Sequence, residues 1–401
     1  MSPDTEARLD ALRTAPNALA PHYARFRVEE RLLLTGHSHQ AWPDVSFDGQ
    51  LEAWADAAEG VDDKWDRAEK KAERVRRGFA RLLGASAEEI ALGQNTHELV
   101  VRFLSALPLT KRPRLVTTDG EFHTIRRQLD RLAEDGRIEV VKVAAYPAAA
   151  LAERLIAAID DRTSAALVSS VLFETAHIVP GLDSALDACR ARGAELLVDA
   201  YHHLNVVPFA LAGLGDAFVV GGGYKYCQLG EGNCFLRVPP GRDDLRPLLT
   251  GWFSEFAHLT EKVPGRVPYG VGPARWSGAT YDPTSHYRAA SVFRFFEEME
   301  LDPEFLRAVS RHQVGLLAER FDALGLDPRR IARDRETPLE RVGGFLAFRA
   351  PEAGRIAGVL RGRGMLTDHR GEWLRLGPAP YLSDDQLTAA VDLLGEAVRG
   401  L

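Results

Sequence analysis

Cysteine is scarce: Cys189, Cys227 and Cys234 are the only three in 401 residues. A scattered, odd-numbered set builds no disulfide framework, so a reducing cytoplasm is the expected setting. Long apolar runs are absent. None approaches the roughly 18 residues that span a bilayer, so no membrane partner is expected. The N-terminal MSPDTEARLD is polar and mixed in charge, unlike a secretory or transit peptide. No basic block occurs, and 50 basic against 57 acidic residues leave a formal charge of −7. That balance argues against nucleic acid as a partner. No GxxxxGK(S/T) exists, and the GEG at 230–232 lacks the later glycine of a dinucleotide fingerprint. His37-Ser38-His39 and His202-His203 come without a cysteine or carboxylate at ligand spacing, so no metal is expected. Lysine is scarce as well. Only 7 of the 50 basic residues are lysine, and Lys225 stands alone between Lys142 and Lys262 in an otherwise uncharged stretch.

What is present points to a well-packed α/β protein. Apolar residues make up 45% and charged residues 27%, enough for both a core and a solvated surface. The length suits one large domain plus a smaller one. Residues 50–83 carry apolar positions at helical spacing, ended by Gly84, and Ser86 opens a capping-box pattern. From residue 114, RLVTTD, EVVKVAA, AALVSSVLF, ELLVDA and AFVVGGG alternate with helical stretches. That rhythm predicts a mainly parallel sheet covered on both faces. NCFLRVPPG reads as one more strand, paired antiparallel. After residue 285 the pattern changes to helices at 286–300 and 303–325, two short strands (GGFLAFRA, EWLRLGPAP) and a last helix at 383–399. The expected division is an N-terminal segment 1–45 packing on the small domain, a large domain 46–285 and a small α+β domain 286–401.

Ligands of such sheets bind beyond the carboxyl ends of the strands. Asp199 ends ELLVDA, where an acid is costly unless paired or functional; a loop or helix-capping aspartate is the plain alternative. Lys225 follows AFVVGGG, whose glycines offer backbone that can approach a bound group closely. A lysine that forms a Schiff base with pyridoxal phosphate needs an acid beneath the pyridine nitrogen, which lets the ring act as an electron sink. Thr96 opens the helix THELVVRFLSAL, and its hydroxyl and the free N–H groups there suit a phosphate, or simply cap the helix.

VDAYHHLNVVPFAL…GGGYKYCQLGEG resembles the cofactor-lysine region of fold-type I pyridoxal-phosphate enzymes, in the class V aminotransferase group, and is most similar to kynureninase. The matching positions are Asp199, His202 and Tyr224-Lys225-Tyr226. LTDHRGEWLRLGPAPYLSDDQL resembles the kynureninase tail, an acidic-Arg turn before an Arg strand and a Pro-x-Pro turn. The resemblance runs over roughly residues 30–400. It implies a seven-stranded large-domain sheet and a homodimer with shared active sites. It also implies that Lys225, Asp199 and Tyr224 serve catalysis. Asn95, Thr96, Phe122, Ser169, His202, Trp252 and Thr280 would contact the cofactor. Arg375 would grip the carboxylate of a small amino-acid substrate, with His37, Ser38 and Asp282 nearby. Arg370 and Glu372 are the expected solvent-facing neighbours of Arg375.

The chain departs from that pattern where His123 and Ile125 replace the family's Pro and Asp after Phe122. The implied reaction is hydrolytic Cβ–Cγ cleavage of kynurenine to anthranilate and alanine. A class V aminotransferase or C–S lyase is the alternative. A cysteine desulfurase is disfavoured, because no cysteine follows Cys234. A non-enzymatic cofactor-binding descendant is the remaining class, opposed by retention of Lys225, Asp199 and Arg375.

Overall fold

The alternation of short apolar strands with helices produces a seven-stranded sheet in a computed structural model that describes residues 3–260 and 264–401. Met1, Ser2 and Lys262 lie outside the described residues. Across the sheet the strands run Ile90–Gly93, Cys234–Arg237, Phe218–Gly222, Glu195–Asp199, Thr163–Ser169, Arg114–Thr118, Glu139–Val143. Cys234–Arg237 is antiparallel to both neighbours and the other pairings are parallel, as the sequence predicts. Side chains alternate across the pleat. Val116, Val168, Val198 and Val219 join one apolar cluster, while Leu115, Leu167, Leu197 and Val220 join another on the opposite face. Burial on both faces is why these strands read as unbroken apolar runs.

The helical pattern at 50–83 is two helices, Val45–Gly60 and Lys64–Leu83. The break falls at Val61, whose φ of 46° is costly for a β-branched residue and ends the helical hydrogen bonding. Gly84 caps the second helix in the left-handed region, and Ser86 and Glu89 form the anticipated capping box.

Toward the C-terminus, helices Thr284–Glu298 and Pro303–Ala323 precede a four-stranded antiparallel sheet. Its order is Asp368–Arg370, Trp373–Leu376, Leu346–Arg349, Ala332–Arg333. Helix Ala353–Gly362 and the strands Ala332–Arg333 and Asp368–Arg370 have no counterpart in the sequence reading, since two- or three-residue strands carry no period. Leu32–Leu33 pairs in parallel with Met365–Leu366, and Thr35 bridges Gly377, so the N-terminal run joins this C-terminal part. No helix among the described residues is long and apolar enough to cross a membrane.

One buried ion pair holds the antiparallel strand. Arg237 Nε donates to Glu89 Oε2 at 2.6 Å, and Nη1 donates to the carbonyls of Gly215 and Ala217. Removing one partner of such a pair strands a buried charge at a cost of about 3–5 kcal/mol. Glu89→Ala is expected to lower the unfolding free energy by about 3 kcal/mol, read as a fall in the urea midpoint at unchanged slope. Glu89→Gln, which keeps an acceptor, should lose less.

Candidate active site

The strands that carry the candidate residues all end at one edge of the large sheet. Ser169 and Asp199 are register partners on adjacent parallel strands, and Asp199 in turn faces Val220. Gly223, Tyr224 and Lys225 follow directly on that third strand. These ends enclose a cavity of about 260 Å³. Asn95, Thr96, Phe122, Ser169, Asp199, His202, Tyr224 and Lys225, all expected from sequence, line it.

Lys225 is only 5% exposed. Its Nζ lies 2.8 Å from His202 Nε2 and faces the rings of Tyr201, Phe122 and Tyr224 at 4.3, 5.4 and 5.6 Å. Burial lowers its pKa to about 7; Asp199 pulls it back up, and Arg375 and Arg370 push it further down. Burial also drives His202 well below its ordinary value, so the imidazole is neutral where its Nε2 shares a hydrogen bond with the lysine. Among the described residues, His202 Nδ1 is buried without a hydrogen-bond partner. Asp199 takes a 2.8 Å hydrogen bond from the Tyr201 backbone N–H. Burial raises its pKa, opposed by that bond and by Lys225.

The helix start differs in detail from the expectation. Asn95, not Thr96, is the cap, its Oδ1 accepting from Glu98 N at 2.9 Å. Thr96 is the first residue inside Thr96–Ala106, and both border the cavity, so the free N–H groups of that helix start open toward it. The triple glycine also serves another purpose. A Cβ at Gly222 would strike the Tyr201 hydroxyl and the Cys234 sulfur, and one at Gly223 would strike Leu229. The glycines make room for these side chains rather than for a ligand.

Sequence reasoning missed Glu121, a buried acid directly before Phe122. It accepts from Ser169 Oγ at 2.6 Å, Ser169 N at 3.2 Å and Thr118 Oγ1 at 2.7 Å. Burial pushes its pKa up to about 7 against those bonds. The one available signal was an acid just past a strand end. Tyr201, under the lysine, was passed over beside Asp199.

Arg375 does not line the cavity. It backs onto Phe173, which does, donating from Nη1 to the Phe173 carbonyl at 2.6 Å. Its Nε and Nη2 fork onto Asp368 at 2.9 and 2.6 Å. His37 Nε2 reaches the same carboxylate at 2.7 Å, and burial lowers the imidazole to about 4. Ser38 is half-buried with its hydroxyl against His39, whose ring stacks on Tyr224 at 4.8 Å. Trp252, Thr280 and Asp282 are exposed and stand outside the cavity; Asp282 accepts from Thr284 N at the start of a helix. Glu372 is exposed as expected, but Arg370 is half-buried beside Asp368. No group of three or more metal-ligating side chains occurs among the described residues.

No family model matches the chain. A C-DES mutant with glycine covalently linked to its pyridoxal-phosphate cofactor is 13% identical, with a TM-score of 0.82 over 94% of this chain and 98% of that one. The cysteine desulfurase of Thermococcus onnurineus NA1 is 16% identical, with a TM-score of 0.78 over 96% and 98%. The chain has the fold of type I pyridoxal-phosphate enzymes. Curated relatives of this type-I chain are of class V aminotransferase kind. Isopenicillin N epimerase of Streptomyces clavuligerus is 26% identical over 82% of this chain and 84% of its own. Kynureninase of Deinococcus radiodurans is 26% identical over 85% and 80%.

The residues present fit the cofactor of those neighbours. A buried amine, a buried acid on the adjacent strand end, an aromatic face and a helix N-terminus surround one cavity. In the cofactor-free protein, Lys225 is expected to react with an amine-acylating reagent with a midpoint near pH 7, because only the neutral amine is nucleophilic. Competitive labelling with peptide mass spectrometry reads this against surface lysines, which titrate near 10.4. A midpoint above pH 9 would contradict the burial argument.

Proposed function

We propose that the protein is a cytoplasmic, pyridoxal-phosphate-dependent enzyme acting on an amino acid by kynureninase-type hydrolytic Cβ–Cγ cleavage. The observation that carries the cofactor reading is the buried Lys225–Asp199 pair on adjacent strand ends in one cavity. The cleavage reading is supported by the Asp368…Arg375 tail and by the kynureninases among the relatives. One observation favours a class V aminotransferase or C–S lyase instead. Ile125, where kynureninases carry an aspartate, is fully buried and offers no polar contact. We assign 46–285 to a large domain, 286–401 to a small one, and 1–45 to a segment packed on the latter.

Lys225 and Asp199 would hold the cofactor at its aldehyde carbon and pyridine nitrogen. Phe122 would cover the ring, and Asn95, Thr96, Ser169, His202 and Tyr224 would take its oxygens. When bound, the cofactor supplies an electron sink for charge developing at Cα. Lys225 as a free amine takes and returns the Cα proton, and its pKa near 7 suits both directions. Burial pushes Tyr224 up to about 12, so it acts as a phenol donor rather than a base. Arg375 has five N–H donors and spends three on Asp368 and Phe173, leaving two for a substrate carboxylate. Incubating the holoenzyme with kynurenine is expected to release anthranilate and alanine without a keto acid. Transamination or sulfur release from other amino acids, with kynurenine untouched, would sink the cleavage reading. Absence of a visible band lost on borohydride treatment would sink the cofactor reading.

We also propose a homodimer. Leu248, Trp252 and Phe256 are 83%, 45% and 62% exposed, an apolar stretch beyond what an isolated surface favours. It hangs from Ser105, on the helix whose first residue borders the cavity, so a second copy seated there would bring Trp252 and Thr280 toward a shared site. Sedimentation should give a dimer, and Phe256→Asp should shift it toward monomer. A fully active monomer would overturn the proposal.

A further inference from the structure

Arg370 has no binding role in the chemistry above, yet it stands beside Asp368 and its charge bears on Lys225. Asp368 and Arg370 are two apart on one strand, and Asp368 is the register partner of Arg375. All three side chains therefore leave the same face of the C-terminal sheet. Asp368 is already held by three close hydrogen bonds. Its Oδ1 takes Arg375 Nε and His37 Nε2, and its Oδ2 takes Arg375 Nη2 at 2.6 Å. Arg370 is left with one longer contact, Nη1 to Oδ2 at 3.4 Å, besides a 2.8 Å bond from Nη1 to the His369 carbonyl. Among the described residues, its Nε and Nη2 have no hydrogen-bond partner. Two guanidinium groups thus share one carboxylate, with a positive charge in excess. Glu174 feels Arg375 but forms no ion pair with either arginine. The charge of Arg370 also pushes down Lys225, His202 and His123, the first two of which line the cavity. The side chain is 39% exposed, open to a ligand.

We propose that Arg370 is a specificity residue whose free Nε–Nη2 edge receives an oxygen acceptor on the substrate's side chain, while Arg375 takes the α-carboxylate. The substrate class is an amino acid with a carbonyl or carboxylate beyond Cα. This rests on the reading of an amino acid held at Arg375, and goes beyond it. A guanidinium edge is the donor pair that matches either acceptor, more strongly when the acceptor is charged.

The test is calorimetric binding to the holoenzyme of L-norvaline, L-kynurenine and L-glutamate, which carry no side-chain oxygen acceptor, a ketone and a carboxylate respectively. In the wild type, kynurenine or glutamate is expected to bind at least about tenfold tighter than norvaline, the scale of one charge-assisted hydrogen bond. Preference for kynurenine assigns a carbonyl partner, and preference for glutamate a carboxylate. Arg370→Met should erase that preference and leave norvaline within about twofold. Arg375→Met should weaken all three. Norvaline binding as tightly as the others in the wild type would overturn the inference. So would an Arg370→Met loss equal for all three. The visible band of the same samples tests the cofactor reading separately, and cleavage of kynurenine tests the reaction. Glutamate selected through Arg370 in an enzyme that leaves kynurenine intact would uphold this inference while sinking that reaction.

Discussion

The carboxylate of Asp368 is the joint on which the site depends. It receives the Arg375 fork from the neighbouring strand and His37 from the turn after the N-terminal run, while Arg375 reaches across to the Phe173 carbonyl in the turn that follows strand Thr163–Ser169. Burial alone would raise this carboxyl. The His37 and Arg375 hydrogen bonds more than offset that, and hold it well below the usual carboxylate range. The His37 turn and the 368–375 hairpin meet at one charge, and the Phe173 turn meets its Arg375 partner, so none can shift without straining a buried ion pair. Gly377 serves the same joint, since a Cβ there would collide with His37 Nδ1.

Burial acts on Lys225 with the opposite consequence. Asp368 is kept charged by three hydrogen bonds from Arg375 and His37, whereas Lys225 has one neutral imidazole and three aromatic rings around its nitrogen. The two nearby arginines disfavour its ammonium further, and only Asp199 among the close acids opposes them strongly. The joint therefore does more than position Arg375. It sets two positive charges near the amine and helps bring its basicity to neutrality. The ion pairing around Asp368 and the low basicity of Lys225 draw on the same arginines.

Much of this was legible in the sequence because it followed from period and cost. The strands showed as apolar runs, and an acid at the end of one and a lone lysine after another marked the cavity that Asp199 and Lys225 share. Contacts made only in three dimensions were not legible. Glu121 lies 48 residues from Ser169, and nothing local announces that they bond. Arg370 read as a solvent residue because its strand is three residues long, too short for a period to show which face it occupies. The glycines after Val220 were read as room for a bound group, whereas side chains of the protein fill that room. What approaches them, Tyr201 and Leu229, depends on packing that no spacing encodes. Asn95 and Thr96 were both picked, but which one caps the helix turns on a single backbone conformation.

The division between what was legible and what was not bears on why relatives with different reactions share this shape. The residues suited to the cofactor come from the ends of one sheet, fixed by the packing of both its faces, and that frame persists at 13% identity to a chain superposing with a TM-score of 0.82. The rim differs: Arg370 stands half-buried on a three-residue strand there, outside the packed faces of the large sheet. Its few contacts leave its identity free to change without disturbing the core. The desulfurase neighbours make the point by contrast. This chain has their frame, but its three cysteines are buried in the large sheet or beside it, and burial pushes the Cys234 thiol, which borders the cavity, up to about 12. A thiol held protonated is a poor nucleophile. Sulfur chemistry by a protein cysteine is therefore unsupported here despite the shared fold, and the reaction must be sought in what the rim presents to the substrate's side chain.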